Sequence, residues 1–510
     1  MSGKNEKNRL GIISLTAMGI GTMVGSGWLF SAYYGARIAG SFSLVAWFLA
    51  ALIIIILGLF LAEISTCYPK RGLMARLLII THGREFAFVC TVTSWLGLTV
   101  VIASEALGTV QYMSSFSPVL AGKIFNLTSQ ELTREGLGLA ALLVFLYGLI
   151  NYWGIRLLAI SSIIATGIKI IIPLITVFSI IASQFFPGNF SFKHSITAPF
   201  SMSNVIAAML GAGMIYSFNG FQNIVSFGSE TRNPERDIPV ATILSIVLAL
   251  GIYLLLQISF IGAIPKNLLY HGWRNLKFTS PFIDIAFFLN LNFLTILLYA
   301  DAFFSPSGTG IIYTGSSCRI LTGLSEEGEL PSFFAKKGSY NFSRRSLIAT
   351  ICLACLFLCF FNSWVNLVSF LSIFYLISYM GIPLALGKLR HFGIKGTFRL
   401  PFAKVLAPLL FILLGIILLQ SRYLLNVFFS ILVVFLIQLL LTRKTSSLAQ
   451  ILKSTLPFLI YILLLAILAD RQLWVFVAKS FADSVRIMLE IVFSTLFYIY
   501  GTYFHKSRLK

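Results

Sequence analysis

An all-α polytopic membrane protein with about fourteen (12–14) transmembrane helices is the fold class that this 510-residue sequence predicts. Three observations carry the prediction. Hydrophobic residues make up 58% of the chain and charged residues only 11%, whereas about a quarter of a soluble domain is charged. The apolar residues fall into runs close to the roughly 20 residues needed to cross the hydrocarbon core of a bilayer. Lysine and arginine collect in alternate loops between those runs.

The start, MSGKNEKNRL, is basic and leads into an apolar run of about 26 residues. A cleavable signal has a shorter core of about 7–15 residues, so 11–36 reads as the first membrane helix. Continuous apolar runs then give 42–66 and 88–113, followed by 136–152 and 157–181. The second half opens with a glycine-rich run at 203–228 and continues through 239–264, 286–318, 346–362 and 365–387. Four further runs, 404–420, 423–442, 455–469 and 486–504, complete the series; 346–362 and 455–469 are short for a full crossing.

Cytoplasmic loops accumulate lysine and arginine. With the N-terminus inside, the inner loops include YPKRGLMAR, ETRNPER, KKGSYNFSRR and GKLRHFGIKGTFR, and hold 26 of the 38 Lys and Arg residues against 11 outside. Both termini are therefore expected in the cytoplasm. The net charge of +21 is mainly a topology signal with some attraction to anionic lipid, and not a nucleic-acid signal. No soluble domain, nucleotide-binding loop or nucleic-acid motif is evident. Cys352 and Cys355 form a CxxC pattern inside an apolar helix, where packing is the better reading than redox or metal chemistry. The five histidines are scattered and mark no metal site.

The first run contains GTMVGSGWLF, with three glycines in seven residues. Glycine is unfavourable inside a helix because its backbone loses the most freedom on ordering. Gly21 and Gly25 form a small-xxx-small pattern, which by itself fits tight helix packing. The sixth run, AAMLGAGMIYSFNGFQNIVSFGSE, is also glycine-rich, and its Ser217, Asn219, Gln222 and Asn223 are unfavourable facing lipid. Paired interruptions at matching positions of two five-helix halves point to a transporter binding site. Freed amides at a half-helix N-terminus attract a carboxylate, and freed carbonyls attract an ammonium. An α-amino acid presents both.

These residues resemble the amino acid–polyamine–organocation transporter superfamily. GIGTMVGSGWLF is similar to its first-helix signature, and SFNGFQNIVSFGSETRNPERDIP to its sixth helix and the loop after it. NYWGIRLLAISSIIATGIK and SCRILTGLSEEGELP are similar to its fifth helix and to the exit of its eighth. DAFFSPSGTGIIYTGSSCR and SEALGTVQY resemble the bacterial aspartate–proton symporter branch. The resemblance implies a LeuT-like fold of two inverted five-helix repeats. The first would span 11–181 and the second 203–387, with additional C-terminal helices over 404–504. Residues 1–10 and 505–510 would be cytoplasmic tails.

Carried over by position, the resemblance implies that the amides around Gly25, Ser26 and Gly27 take the substrate carboxylate. The carbonyls of Met23, Tyr216 and Asn219 would take the amino group, with Gly220 and Gln222 at the second break. Gln222 stands where many members carry an acid, and PKRGLMARL lacks the usual Gly-Gly-x-Tyr.

Lys169 lies twelve residues from either end of its run, about 18 Å from each interface at 1.5 Å per residue. It cannot snorkel that far. It is either locked to a carbonyl or carboxylate, or it is a proton site, since desolvation lets a lysine load and release a proton. The resemblance implies the second role. Glu105 and Asp301 read either as structural ion pairs or caps, or as proton relay or substrate contacts. Pro306 with Gly308 and Gly310 is expected to loosen its helix locally, with Ser305, Ser307 and Thr309 beside an ion-like site. Glu63 is expected to meet Lys70, Arg71 or water, Glu490 to form a surface pair with Arg486, and Glu230 to make loop contacts.

The expected function is secondary transport of an acidic or polar amino acid by alternating access in a bacterial inner membrane. A proton is the coupling ion, and no cofactor or metal is expected. An amino acid or amine exchanger shares every motif named, whereas a membrane-embedded transferase would call for clustered catalytic acids or histidines and an extramembrane lobe.

Overall fold

A computed structural model of the chain describes residues 10–67, 73–153, 156–190, 201–226, 231–336, 343–441, 448–474 and 479–504. The first apolar run forms two helices, α1 (Ile12–Met23) and α2 (Gly27–Ala39). There follow α3 (Ser43–Cys67), α4 (Leu73–His82), α5 (Arg84–Met113), α6 (Pro118–Ile124), α7 (Arg134–Trp153) and α8 (Arg156–Ser183). The sixth run is cut into α9 (Met202–Gly211), α10 (Met214–Ser217) and α11 (Gln222–Ser226). The chain then forms α12 (Pro234–Ala263), α13 (Pro281–Phe288), α14 (Asn292–Glu326), α15 (Arg344–Phe360) and α16 (Trp364–His391). The last helices are α17 (Ala403–Leu418), α18 (Leu424–Leu441), α19 (Leu448–Ala469) and α20 (Lys479–Ile499).

Among the described residues, six helical stretches are long and apolar enough to cross a membrane, and six shorter apolar helices accompany them. Phe48, Phe145, Phe178, Phe304, Phe360 and Leu440 are all exposed. Water would make such a surface an aggregation site, whereas lipid tails solvate it. α5 and α16 are buried along nearly their whole apolar length and form the centre. α5 packs along α14 and α16, α3 along α12, and α7 along α15.

Three expectations about elements are corrected. The run at 286–318 is not one helix from residue 286: Asn290 takes a left-handed conformation, φ 56°, and separates α13 from α14. The turn is closed by Leu291 N–H donating to the Ala286 carbonyl. Pro306 leaves α14 helical throughout, although a proline inside a helix removes one backbone donor. The run at 455–469 begins earlier, at Leu448, which makes α19 a full 22 residues. The loop before α7 also contains a short antiparallel pair, Phe125–Asn126 with Glu131–Leu132, which no sequence signal marked.

Candidate functional site

The two interruptions lie against one another. α1 stops at Met23 because Val24 turns extended, and α2 restarts after Ser26. The first amides of a helix have no intrahelical acceptor, so those of α2 face the gap. In the sixth run Gly213 (φ 71°) and Gly220 (φ 112°) occupy conformations that L side chains resist. Glycine is also needed for closeness. A Cβ on Gly27 would sit 2.6 Å from Ser217 Oγ, and one on Gly220 would sit 2.7 Å from Thr22 Oγ1. The hydroxyls of Ser31 and Ser217 meet at 3.3 Å across the same seam.

Glu105 of α5 reaches into this seam and is fully buried. Its Oε2 accepts from the Ser26 amide at 3.0 Å, and its Oε1 accepts from the Tyr216 hydroxyl at 2.5 Å. One carboxylate thus joins both broken segments. Gly25 provides the room, since a Cβ there would lie 3.0 Å from Glu105 Oε1 and 3.2 Å from Thr309.

The carbonyls and side chains expected at the breaks are engaged as follows. The Met23 carbonyl accepts from Tyr253 Oη at 3.3 Å, and the same hydroxyl donates to the Ser217 carbonyl at 2.8 Å. The Tyr216 carbonyl accepts the Asn219 amide at 2.8 Å. Asn219 Oδ1 accepts from Gln222 Nε2 at 2.8 Å and from Tyr379 Oη at 3.2 Å, while its Nδ2 donates to Tyr313 at 3.3 Å. Gln222 Oε1 in turn accepts the Gly220 amide at 3.1 Å. Asn219 and Gln222 thus form one network at the second break.

Lys169 is buried, and its Nζ donates to Thr309 Oγ1 of α14 at 2.8 Å. The carboxylates of Glu105 and Asp301 lie within coulombic reach, yet no ion pair to Lys169 occurs among the described residues. Asp301, Ser305 and Thr309 follow one another at single-turn intervals, which places them on one face of α14. The Trp28 indole N–H, in the first turn of α2, approaches the buried Asp301 carboxylate without reaching hydrogen-bond geometry, and Ser305 Oγ is buried without a hydrogen-bond partner. Ser307 points elsewhere and accepts from Tyr147 Oη at 3.1 Å.

Other predicted contacts are replaced. Glu63 pairs bidentately with Arg390 at the far end of α16, at 2.8 and 2.7 Å; Lys70 and Arg71 lie outside the described residues. Glu490 is not on the surface. It is buried against Ser494 Oγ at 2.5 Å, while Arg486, also buried, binds Asp483 and the carbonyls of Leu468, Leu419 and Ala469. Glu230 lies outside the described residues. Cys352 is exposed on α15 and Cys355 is half-buried, and both thiols are free.

Sequence reasoning missed the aromatic frame. Tyr253, Tyr313 and Tyr379 hold the break carbonyls and Asn219, and Trp364 Nε1 donates to Ser26 Oγ at 3.1 Å. Trp364 also stacks on Phe30, ring centroids 4.6 Å apart. Buried tyrosines and tryptophans usually find a partner for their polar atom, but 19 tyrosines spread over the chain do not reveal which three meet.

Two broken helices meeting at the centre of an apolar bundle define a membrane transporter of the broken-helix type. The amino acid permease family profile matches residues 10–429. The chain belongs to that family. It is 37% identical over 422 residues to the glutamate/serine transporter AimA of Bacillus subtilis, covering 81% of this chain and 78% of that one. It is 32% identical over 464 residues to the aspartate-proton symporter of the same organism, covering 88% and 87%. Among solved structures, a manganese transporter from Eremococcus coleocola shares the fold, with a TM-score of 0.54, 14% identity and coverage of 98% and 99%. The protein is an integral membrane amino acid transporter, not an enzyme. No group of three His, Cys, Asp or Glu residues able to hold a metal occurs among the described residues.

Proposed function

We propose that this permease is a proton-coupled symporter for an acidic or other polar amino acid. The single observation that carries the reading is the placement of Lys169, whose ammonium sits on Thr309 within coulombic reach of Glu105 at the seam of the two breaks. A buried lysine with a neutral hydroxyl as its partner can exchange a proton more readily than one fixed in an ion pair. The substrate carboxylate binds the amides of Ser26 and Gly27 at the positive end of α2, and its ammonium binds the Met23, Tyr216 and Asn219 carbonyls. Its side chain faces Asn219 and Gln222, polar groups suited to a hydroxyl or a second carboxylate. Two relatives whose names specify glutamate, serine and aspartate support that substrate class.

In this reading two inverted five-helix repeats rock about the breaks, both termini are cytoplasmic and no cofactor beyond the proton is used. The packing of α3 on α12, α5 on α14 and α7 on α15 supports the repeat, because each pair joins runs five apart in the series. The test is uptake of labelled glutamate, aspartate and serine into proteoliposomes under an imposed inward proton gradient. Symport requires only the gradient. Uptake that depends on internal amino acid and ignores the gradient would establish an exchanger instead.

A further inference from the structure

We propose that Glu105 is a built-in surrogate for the substrate's α-carboxylate: it occupies the amide cradle of α2 and must withdraw or become neutral before an amino acid binds. The inference rests on the reading of the breaks as the amino acid site.

The Glu105 carboxylate takes one of the two amides assigned above to the bound α-carboxylate, together with the Tyr216 hydroxyl. One oxygen takes the Ser26 amide at 3.0 Å and the other takes Tyr216 Oη at 2.5 Å, so each broken segment holds one oxygen. The side chain comes from α5, an unbroken helix that contributes no backbone to either gap. Gly25 keeps the approach open, because a Cβ there would press on Glu105 Oε1 at 3.0 Å. Across the seam, Ser26 Oγ is already engaged by Trp364. Charged Glu105 therefore takes donors that a bound α-carboxylate would use.

A second ionised carboxylate at hydrogen-bond distance from the first is strongly disfavoured, because like charges that close cannot both ionise. Substrate carboxylate and charged Glu105 exclude one another. The displaced charge can be satisfied by a proton or by the Lys169 ammonium on α8. Among the described residues, the other titratable groups facing Glu105 are Tyr147 of α7, Tyr216 of α10, Tyr253 of α12 and Tyr313 of α14, with Asp301 beyond Lys169. Lys169 is the one cation facing Glu105 among the described residues, so the occupancy of the cradle and the charge on Lys169 are linked. A surrogate also keeps the Ser26 amide satisfied while the site is empty, which removes the penalty of one buried unpaired donor.

The experiment measures equilibrium binding of L-serine, L-glutamate and ethanolamine, which lacks a carboxylate, to the purified full-length protein at about pH 5.5 and about pH 7.5. Wild type is compared with Glu105→Gln and Glu105→Ala. Wild-type affinity for the amino acids is expected to rise as pH falls. Glu105→Gln is expected to bind them roughly tenfold tighter at the higher pH, on the scale of one charge-assisted hydrogen bond, and to lose most of that pH dependence. Ethanolamine, which does not compete for the cradle, gains nothing. Glu105→Ala removes the carboxylate outright and leaves every donor in place, so it is also expected to tighten amino acid binding, which keeps the test valid if Glu105→Gln does not fold. Weaker amino acid binding in either variant, or an equal gain for ethanolamine, overturns the surrogate role. If neither wild type nor variants bind any amino acid, the amino acid site itself fails and takes this inference with it.

Discussion

Lys169 Nζ lies 2.8 Å from Thr309 Oγ1, and that hydroxyl in turn donates to the Ser305 carbonyl at 3.1 Å. The contact joins α8 to α14, 140 residues later in the chain, beside the first break. A neutral hydroxyl can hold either an ammonium or an amine, which an opposing carboxylate would not allow so evenly.

Replacing Lys169 therefore separates coupling from binding. Lys169→Ala is expected to abolish uptake driven by a pH gradient while exchange of internal for external substrate continues. Lys169→Arg is expected to do the same, because a guanidinium does not release its proton. Thr309→Val keeps the lysine and removes its partner, so gradient-driven uptake should slow without disappearing. Proteoliposome uptake measured with and without the gradient decides the matter, and full gradient-driven uptake by Lys169→Ala would contradict it.

Gly27 is held against α10, where a Cβ would come within 2.6 Å of Ser217 Oγ and 3.7 Å of Ser217 Cα. The nearest atom is the end of a small side chain, so Gly27→Ala can be accommodated by rotation of that hydroxyl and should weaken binding modestly. Gly27→Leu cannot be accommodated and wedges the two breaks apart. Its expected result is loss of substrate binding in protein that still elutes as a folded species in detergent. Retained affinity would show that the seam does not form the binding surface.

The breaks and the buried lysine were legible in the sequence because each violates a local rule. Glycines interrupt apolar runs at 21–27 and 211–220, and Lys169 stands alone in a run that excludes charge. Partners were not legible. Glu63 and Arg390 are 327 residues apart, and the sequence offered Lys70 and Arg71 as nearer candidates. Glu490 and Arg486 have the spacing of a helical surface pair, yet both face the packed side of α20, where Arg486 turns to carbonyls and Asp483. Spacing gives neighbours on one helix; the neighbour across a helix interface depends on tertiary packing. The tyrosines around the breaks were hidden for the same reason.

The Glu63–Arg390 pair is a structural clasp between α3 and α16. Its two parallel bonds are joined by the Leu400 amide, which donates to Glu63 Oε2 at 2.9 Å, and by the Leu400 carbonyl, which accepts from Arg390 at 2.6 Å. Both side chains are below one-tenth exposed. Removing one partner from a buried pair leaves the other charge uncompensated, a loss of about 3–5 kcal/mol. Glu63→Ala and Arg390→Ala should each lower the thermal unfolding temperature by several degrees, and the double variant should lose less than the sum. An additive double variant would mean that the two groups do not act as a pair.

Asp284 caps α13 by accepting the Thr279 and Ser280 amides at 2.8 and 3.0 Å. Burial pushes its carboxyl up to about 6 from 3.8, against the opposing pull of those two amides. Between these values the folded state binds the proton more strongly than the unfolded chain does. Stability from this group is therefore present below about 3.8, falls as pH rises through about 6 and is level above it. The protection of the 281–288 amides from exchange, taken relative to their intrinsic base-catalysed rate, should fall from the acid side of that window to the neutral side. Asp284→Asn keeps an acceptor for both amides and is expected to flatten the dependence. An unchanged profile in that variant would assign the effect to another group.

Glu490 and Gly415 test how the helices after α16 are packed. A Cβ on Gly415 would fall 2.0 Å from Glu490 Oε1 and 3.0 Å from its carboxyl carbon, so α17 and α20 approach through the absence of a side chain. Oε1 accepts from Ser494, while Oε2 is buried without a partner. Gly415→Ala is therefore expected to destabilise by about 1–3 kcal/mol, the usual range for overpacking. Glu490→Ala vacates the volume that the new methyl needs. In the Gly415→Ala/Glu490→Ala double variant the two changes should compensate, giving a smaller loss than Gly415→Ala alone by thermal unfolding in detergent. A double variant less stable than both singles would place the clash elsewhere, and gradient-driven uptake should survive in every variant that folds, because this contact lies outside the seam.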